Sequence, residues 1–112
     1  MSSRIDFESM QWEKVDAGGM YGKVKKWLGN GRRIRVVEFT PRWNETEWCR
    51  VGHSAYVISG KLSLRFESGD KPLDVARGQA FSIPLGTKHK ATCKKNTLVF
   101  MVDDLPPTIP TK

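Results

Sequence analysis

Histidine and cysteine are scarce in this chain, with two of each among 112 residues. Cys49 and Cys93 alone make no disulfide framework, and a chain this long buries a usable core without staples. They read as free thiols of a reducing compartment, as metal ligands or as small core residues. Long apolar runs are missing as well. No stretch approaches the roughly 20 residues that span a bilayer, and the opening MSSRIDFESM carries acids where a secretory signal needs an apolar segment. A cytoplasmic protein is therefore expected. Helical periodicity is absent too, since no segment sustains apolar residues at i, i+3, i+4 and i+7.

Acid is in short supply, 12 Asp and Glu against 19 Lys and Arg, which leaves a net charge of +7. Such a balance recruits anions: nucleic acid, acidic membranes, or carboxylate and phosphate substrates. The positives gather in Lys23–Arg35 and Lys88–Lys95. Neither group is a continuous run or a basic helix, and no nucleic-acid motif accompanies them. They read as solvated residues on outer strand faces, which also discourage edge-to-edge pairing. The expected partner is a small molecule, with neither nucleic acid nor membrane.

What is present is a series of short extended stretches separated by turns. Gly22–Leu28 and Arg33–Thr40 flank Gly29-Asn30-Gly31, whose Asn-Gly pair supplies the positive φ angles of a tight hairpin. After a loop at Pro41–Thr46, extended chain is expected over Glu47–Ser59, Leu62–Phe66, Leu73–Val75, Gln79–Ile83, Lys88–Cys93 and Thr97–Val102. Close spacing of short strands points to an all-β sandwich or barrel. Residues 1–20 read as an N-terminal arm or edge strand, 21–104 as the barrel, and 105–112 as a proline-rich tail that cannot continue a ladder.

One stretch carries more. Gly78-Gln-Ala-Phe-Ser-Ile-Pro84-Leu-Gly86-Thr-Lys-His89 reads G-x5-P-x-G-x2-H. Pro84 and Gly86 predict a tight turn, after which His89 begins a strand and projects inward. The pattern resembles the second signature motif of the cupin superfamily. That likeness implies a small, single-domain, RmlC-like jelly roll of the conserved-barrel type, a double-stranded β-helix, over roughly residues 22–103. The family's first motif has two alternate histidines, a glutamate and a glycine. Counting back from Gly60 places His53 at the glutamate, Cys49 at the second histidine and Glu47 at the first, so this chain departs from the pattern.

If Glu47–Val57 is regular strand, then Glu47, Cys49 and His53 share one face. With His89, the barrel mouth would hold a carboxylate, a thiol and both imidazoles. Two imidazoles and a carboxylate suit Fe, Mn or Ni, and adding the thiolate shifts preference toward Zn. The resemblance equally allows a metal-free cupin, with Cys49 a core filler and His53 a hydrogen-bonded interior imidazole. A bulge near Gly52 would reverse the parity and put Thr46 and Trp48 at the histidine places.

Four tryptophans, at 12, 27, 43 and 48, are a high load for this length, and such residues fill cores, interfaces or pocket walls. Trp48, Arg50, Tyr56 and Phe81 are the expected substrate-pocket residues. Tyr56, of opposite parity to His53, would face inward only through a bulge. Three functions follow as expectations. The first is an enzyme, for which the cupin resemblance implies dioxygenase or sugar-phosphate isomerase or epimerase types, with a metal on Glu47, Cys49, His53 and His89, or with His53 or His89 as general base. The second is a metal-free module that binds or senses a small anion. The third is an oligomerising barrel with a filled mouth. A homodimer that uses the N-terminal arm is expected in each.

Overall fold

Strand-length alternation of inward and outward residues builds the whole fold. In the last strand Thr97, Val99, Met101 and Asp103 are buried, while Leu98, Phe100 and Val102 between them face the other side. The computed structural model describes residues 2–105. Nine strands follow one another: β1 (Glu13–Ala17), β2 (Met20–Gly29), β3 (Arg32–Phe39), β4 (Gly52–Ser59), β5 (Lys61–Phe66), β6 (Leu73–Ala76), β7 (Ala80–Ile83), β8 (His89–Thr92) and β9 (Thr97–Asp104). They form a six-stranded sheet of order β1-β2-β3-β9-β4-β7 and a three-stranded sheet of order β6-β5-β8, antiparallel throughout. Apolar side chains from both sheets, among them Val37, Val57 and Val99 on one and Leu62, Leu64 and Val75 on the other, make one core.

The β2–β3 turn has Asn30 at φ 52° and Gly31 at φ 73°, the two left-handed positions that the Asn-Gly pair predicts. Within residues 1–20, a 3-10 turn at Phe7–Ser9 is capped by the Asp6 carboxylate and lays Phe7 edge-on to Phe100 on the outer sheet face, while β1 forms the sheet edge. The proline-rich tail expected over 105–112 lies, beyond 105, outside the described residues.

Most strand ends fall within two residues of expectation, and two differences bear on the site. The strand expected from Glu47 begins only at Gly52, because residues 43–46 are drawn toward the β1–β2 turn by Asn44 N–H on the Gly19 carbonyl and Thr46 N–H on that of Gly18. And β9 runs past Val102 to Asp104, because buried Asp103 and exposed Asp104 lie opposite Arg33 and Arg32 on β3 and pair with them.

Candidate metal centre

A turn and a stitched loop bring the chemistry together. Thr87 N–H donates to the Pro84 carbonyl at 3.2 Å, and Gly86 takes φ 92°, the left-handed third position of a type II turn. This turn packs against Gly52, where a Cβ would come within 2.8 Å of the Leu85 backbone nitrogen. His89 then opens β8 and forms an isolated antiparallel bridge with Cys49, through bonds of 2.9 and 3.0 Å in the two directions. Gly86 N–H on the Arg50 carbonyl, at 2.9 Å, completes the seam. Cys49 thus reaches the site from outside any strand.

One ligand atom each from Cys49, His53 and His89 lies within 4.8 Å of the others. The His53 and His89 rings stand edge-to-face with centroids 4.9 Å apart, and both residues are buried. His53 Nδ1 faces Asp103 Oδ1 at 2.6 Å, and His89 Nδ1 faces the Thr87 carbonyl at 2.8 Å. Both acceptors require Nδ1–H, so in the neutral ring, the form a metal needs, each Nε2 keeps its lone pair. His53 Nε2 lies 3.7 Å from Cys49 Sγ, and His89 Nε2 is buried with no hydrogen-bond partner.

These residues fit a transition metal. An unpartnered buried nitrogen is costly, and coordination removes that cost. A tetrahedral Zn²⁺ with bonds of about 2.3 Å to sulfur and about 2.0 Å to nitrogen separates a sulfur from a nitrogen ligand by about 3.5 Å, close to the 3.7 Å between Cys49 Sγ and His53 Nε2, and the set of three, within 4.8 Å, has to draw in slightly to close on an ion. Nδ1–H on a carboxylate and on a carbonyl is also how metal-binding imidazoles are oriented.

Behind His53 sits a charge cluster in one row of the large sheet. Asp103, fully buried, lies opposite Arg33 on β3 and opposite His53 on β4. Arg33 Nε donates to its Oδ2 at 2.6 Å and Arg35 Nη2 to its Oδ1 at 3.3 Å. Arg35 Nε is 2.7 Å from Oδ2 but misaligned, and remains an orphaned buried donor. Burial alone would raise the Asp103 pKa. The hydrogen bond from His53 and the charges of Arg35 and Arg33 overcome it and hold the carboxyl well below its ordinary 3.8. For His53, burial opposes protonation, but Asp103 and Cys49 outweigh it and raise the pKa above 6.5. Burial is the strongest influence on Arg35 and lowers its pKa, against the attraction of Asp103.

Cys49, His53, His89, Arg33 and Arg35 all line one cavity of about 340 Å³ between the sheets, within the range of small-ligand sites. Much of the rest of its lining is apolar, including Phe39, Trp43, Leu62, Leu64, Phe81 and Met101, with Lys26 also on it. Glu45 also borders it, and its Oε2 accepts from Trp43 Nε1 at 3.1 Å and Ala91 N–H at 2.8 Å.

Of the site residues expected from sequence, Cys49, His53 and His89 converge and Phe81 lines the cavity. Glu47 is corrected: it is exposed and outside the cluster, because the irregular chain before Gly52 does not carry strand parity back to it. Trp48, Arg50 and Tyr56 do not line the cavity either. Trp48 is half-buried beneath the Lys90 ammonium, Arg50 is exposed, and Tyr56, 48% exposed, pairs in regular register with Phe100 and faces the outer side, because the register shift in β4 falls beyond it, between Val57 and Ser59. Arg33 and Arg35, expected on an outer face, point inward. With Asp103 and Glu45 they are the site residues that sequence reasoning passed over. Cys93 stands apart, packed against the core beside a second depression, its thiol pushed up by burial.

No family model and no curated protein matches the sequence. Solved structures do. An RmlC-like cupin from Shewanella frigidimarina superimposes with a TM-score of 0.69 at 18% identity, covering 96% of this chain and 95% of its own. The ethanolamine utilization protein EutQ of Salmonella typhimurium gives 0.70 at 16%, covering 89% and 83%. The polyketide cyclase RemF of Streptomyces resistomycificus gives 0.69 at 20%, covering 92% and 79%. Identities this low speak for architecture and not for chemistry, and the architecture agrees with what the G-x5-P-x-G-x2-H stretch implied. The protein has the cupin fold.

Proposed function

We propose that the protein holds one divalent transition-metal ion on Cys49, His53 and His89 and acts as a metal-dependent enzyme on a small anion bound in the adjoining cavity. The observation that carries this reading is the buried, unpartnered Nε2 of His89, which shares a cavity with His53 Nε2 and Cys49 Sγ. One thiolate with two imidazoles favours Zn over Fe, Mn or Ni, since the carboxylate of a facial triad is absent from the cluster. An ion bound there with an open position would supply Lewis-acid polarisation of a ligand oxygen. That suits isomerase- or epimerase-type chemistry better than a dioxygenase. Asp103 and the Thr87 carbonyl lock the imidazole tautomers, Arg33 and Arg35 attract the anion, and the apolar walls exclude water.

A second reading rests on the chain Cys49 Sγ–His53 Nε2–Asp103, at 3.7 and 2.6 Å. Without metal, His53 backed by Asp103 is a general base, or the cavity simply binds a small anion. A reducing cytoplasm, which keeps Cys49 a free thiol, agrees with both readings. So does a homodimer through the outer face of the large sheet, where Tyr56 and Ile58 are exposed beside Phe100 and the N-terminal Phe7.

Elemental analysis of the purified protein beside a His53→Ala/His89→Ala double variant separates the two. One equivalent of metal in the parent and none in the variant supports the metal reading. A folded parent that stays metal-free after supplementation overturns it.

A further inference from the structure

Among the described residues, two buried side-chain nitrogens lack hydrogen-bond partners, Arg35 Nε and His89 Nε2, and both residues line the same cavity. They are of opposite kinds. His89 Nε2 is a lone pair that wants a metal or a donor, whereas Arg35 Nε carries a proton that sits 2.7 Å from Asp103 Oδ2 in an ion pair but out of line with it, so a better-aligned acceptor would gain there. The charges point the same way. At this end of the cavity two guanidiniums face one carboxylate, Asp103, which leaves one positive charge without a partner in a largely buried place. A single negative charge brought by a ligand neutralises it.

The rest of the cavity restricts the ligand's body. Phe39 and Trp43 stack at 4.5 Å between centroids, and Leu62, Leu64, Phe81 and Met101 continue the wall. Glu45 Oε2 is already taken by Trp43 and Ala91. A polyhydroxylated ring pressed against these walls would bury hydroxyls without partners, each a desolvation cost with nothing to offset it. A flat apolar ring loses nothing there and gains by leaving water.

We infer that the ligand is a small carboxylate with an apolar, preferably aromatic, body, seated with its carboxylate on Arg33 and Arg35 and its body against Phe39, Trp43, Leu64 and Phe81. This rests on the proposed use of the cavity as the substrate site, and it sets aside the sugar phosphates that the family resemblance brought in as candidates. It does not require the metal.

The test is calorimetric titration of the parent protein with benzoate, benzyl alcohol and glucose 6-phosphate, with metal content measured on the same sample. Benzoate is expected to bind at least about tenfold more tightly than benzyl alcohol, the least that a hydrogen bond to a charged group supplies, and glucose 6-phosphate to bind more weakly still. In Arg35→Met, which leaves Arg33 to pair with Asp103, benzoate should lose about the same factor while benzyl alcohol does not. If that variant does not fold, the ranking of the three probes on the parent decides alone. Equal or tighter binding of benzyl alcohol or glucose 6-phosphate, no benzoate binding, or unchanged benzoate affinity in folded Arg35→Met overturns the inference. A sample that binds benzoate but no metal removes the metal reading and leaves this one standing. A metal-loaded sample indifferent to benzoate does the reverse.

Discussion

His53 and Asp103 are direct cross-strand partners on β4 and β9, and they join by an Nδ1–Oδ1 contact of 2.6 Å. Their register decides which imidazole nitrogen is free, and so ties sheet pairing to the chemistry of the cavity. Arg33, opposite Asp103 on the other side, completes the row.

Asp103→Asn removes the counter-charge of Arg33 and Arg35 and the strong acceptor of His53. Leaving buried charge uncompensated costs about 3 kcal/mol or more, and loss of a carboxylate behind a metal-binding imidazole costs about 10–100-fold in metal affinity. Neighbouring Asp104, whose pair with Arg32 is 62% exposed on both sides, should tolerate Asn within about 1 kcal/mol. Urea denaturation and competitive metal titration check both.

Stability should depend on pH through these same groups. Asp103 has a lowered pKa, so its contribution is complete above the ordinary 3.8 and is lost as pH falls below it. In metal-free protein His53 has a raised pKa, so its contribution is complete below 6.5 and is lost as pH rises through the raised value. Metal needs neutral His53, so metal-loaded protein behaves the opposite way over that upper window. Denaturation with and without chelator, between about pH 3 and pH 9, should show curves of opposite slope near neutrality. Parallel slopes would separate His53 from the metal.

Much of this site was legible in the chain, for identifiable reasons. The Pro84–Gly86 turn leaves little freedom, and the likeness to the second cupin motif put His89 just beyond it. Cys49 and His53 came from counting back from Gly60 along the first motif, and parity set them on one face; the facing holds although residue 49 lies outside regular strand, because its bridge to His89 preserves it. Glu47 shows where parity stops, since beyond the bridge the chain is loop and alternation carries nothing. Asp103 shares the parity of Thr97, Val99 and Met101, and Arg33 and Arg35 that of Val37 and Phe39. That signal was masked because charged residues ordinarily mark a strand's end or its wet face. Only their mutual pairing makes them interior, and pairing depends on a register the sequence does not display.

Gly52→Ala should damage the site without touching a ligand. Its Cβ would meet the Leu85 backbone at 2.8 Å, so the turn that leads to His89 must move. Metal affinity is expected to fall by about tenfold or more, as for other losses of ligand support. Glu47→Gln, at an exposed position outside the cluster, should leave metal content unchanged.

Leu64, buried in the core and lining the cavity wall, offers a test of the cavity itself. Leu64→Ala should cost about 2–5 kcal/mol and let 2-naphthoate compete with benzoate better than in the parent. Denaturation and paired calorimetric titrations read the two effects.

The central claim is that Cys49, His53 and His89 hold one ion together. Cobalt(II) titration, followed by thiolate-to-cobalt charge-transfer absorption, tests it most directly. Saturation is expected at one equivalent, with loss of the thiolate band in Cys49→Ala while weaker binding is retained, and loss of binding in His53→Ala/His89→Ala. Binding without the thiolate band, or equal binding in the folded double variant, would contradict it.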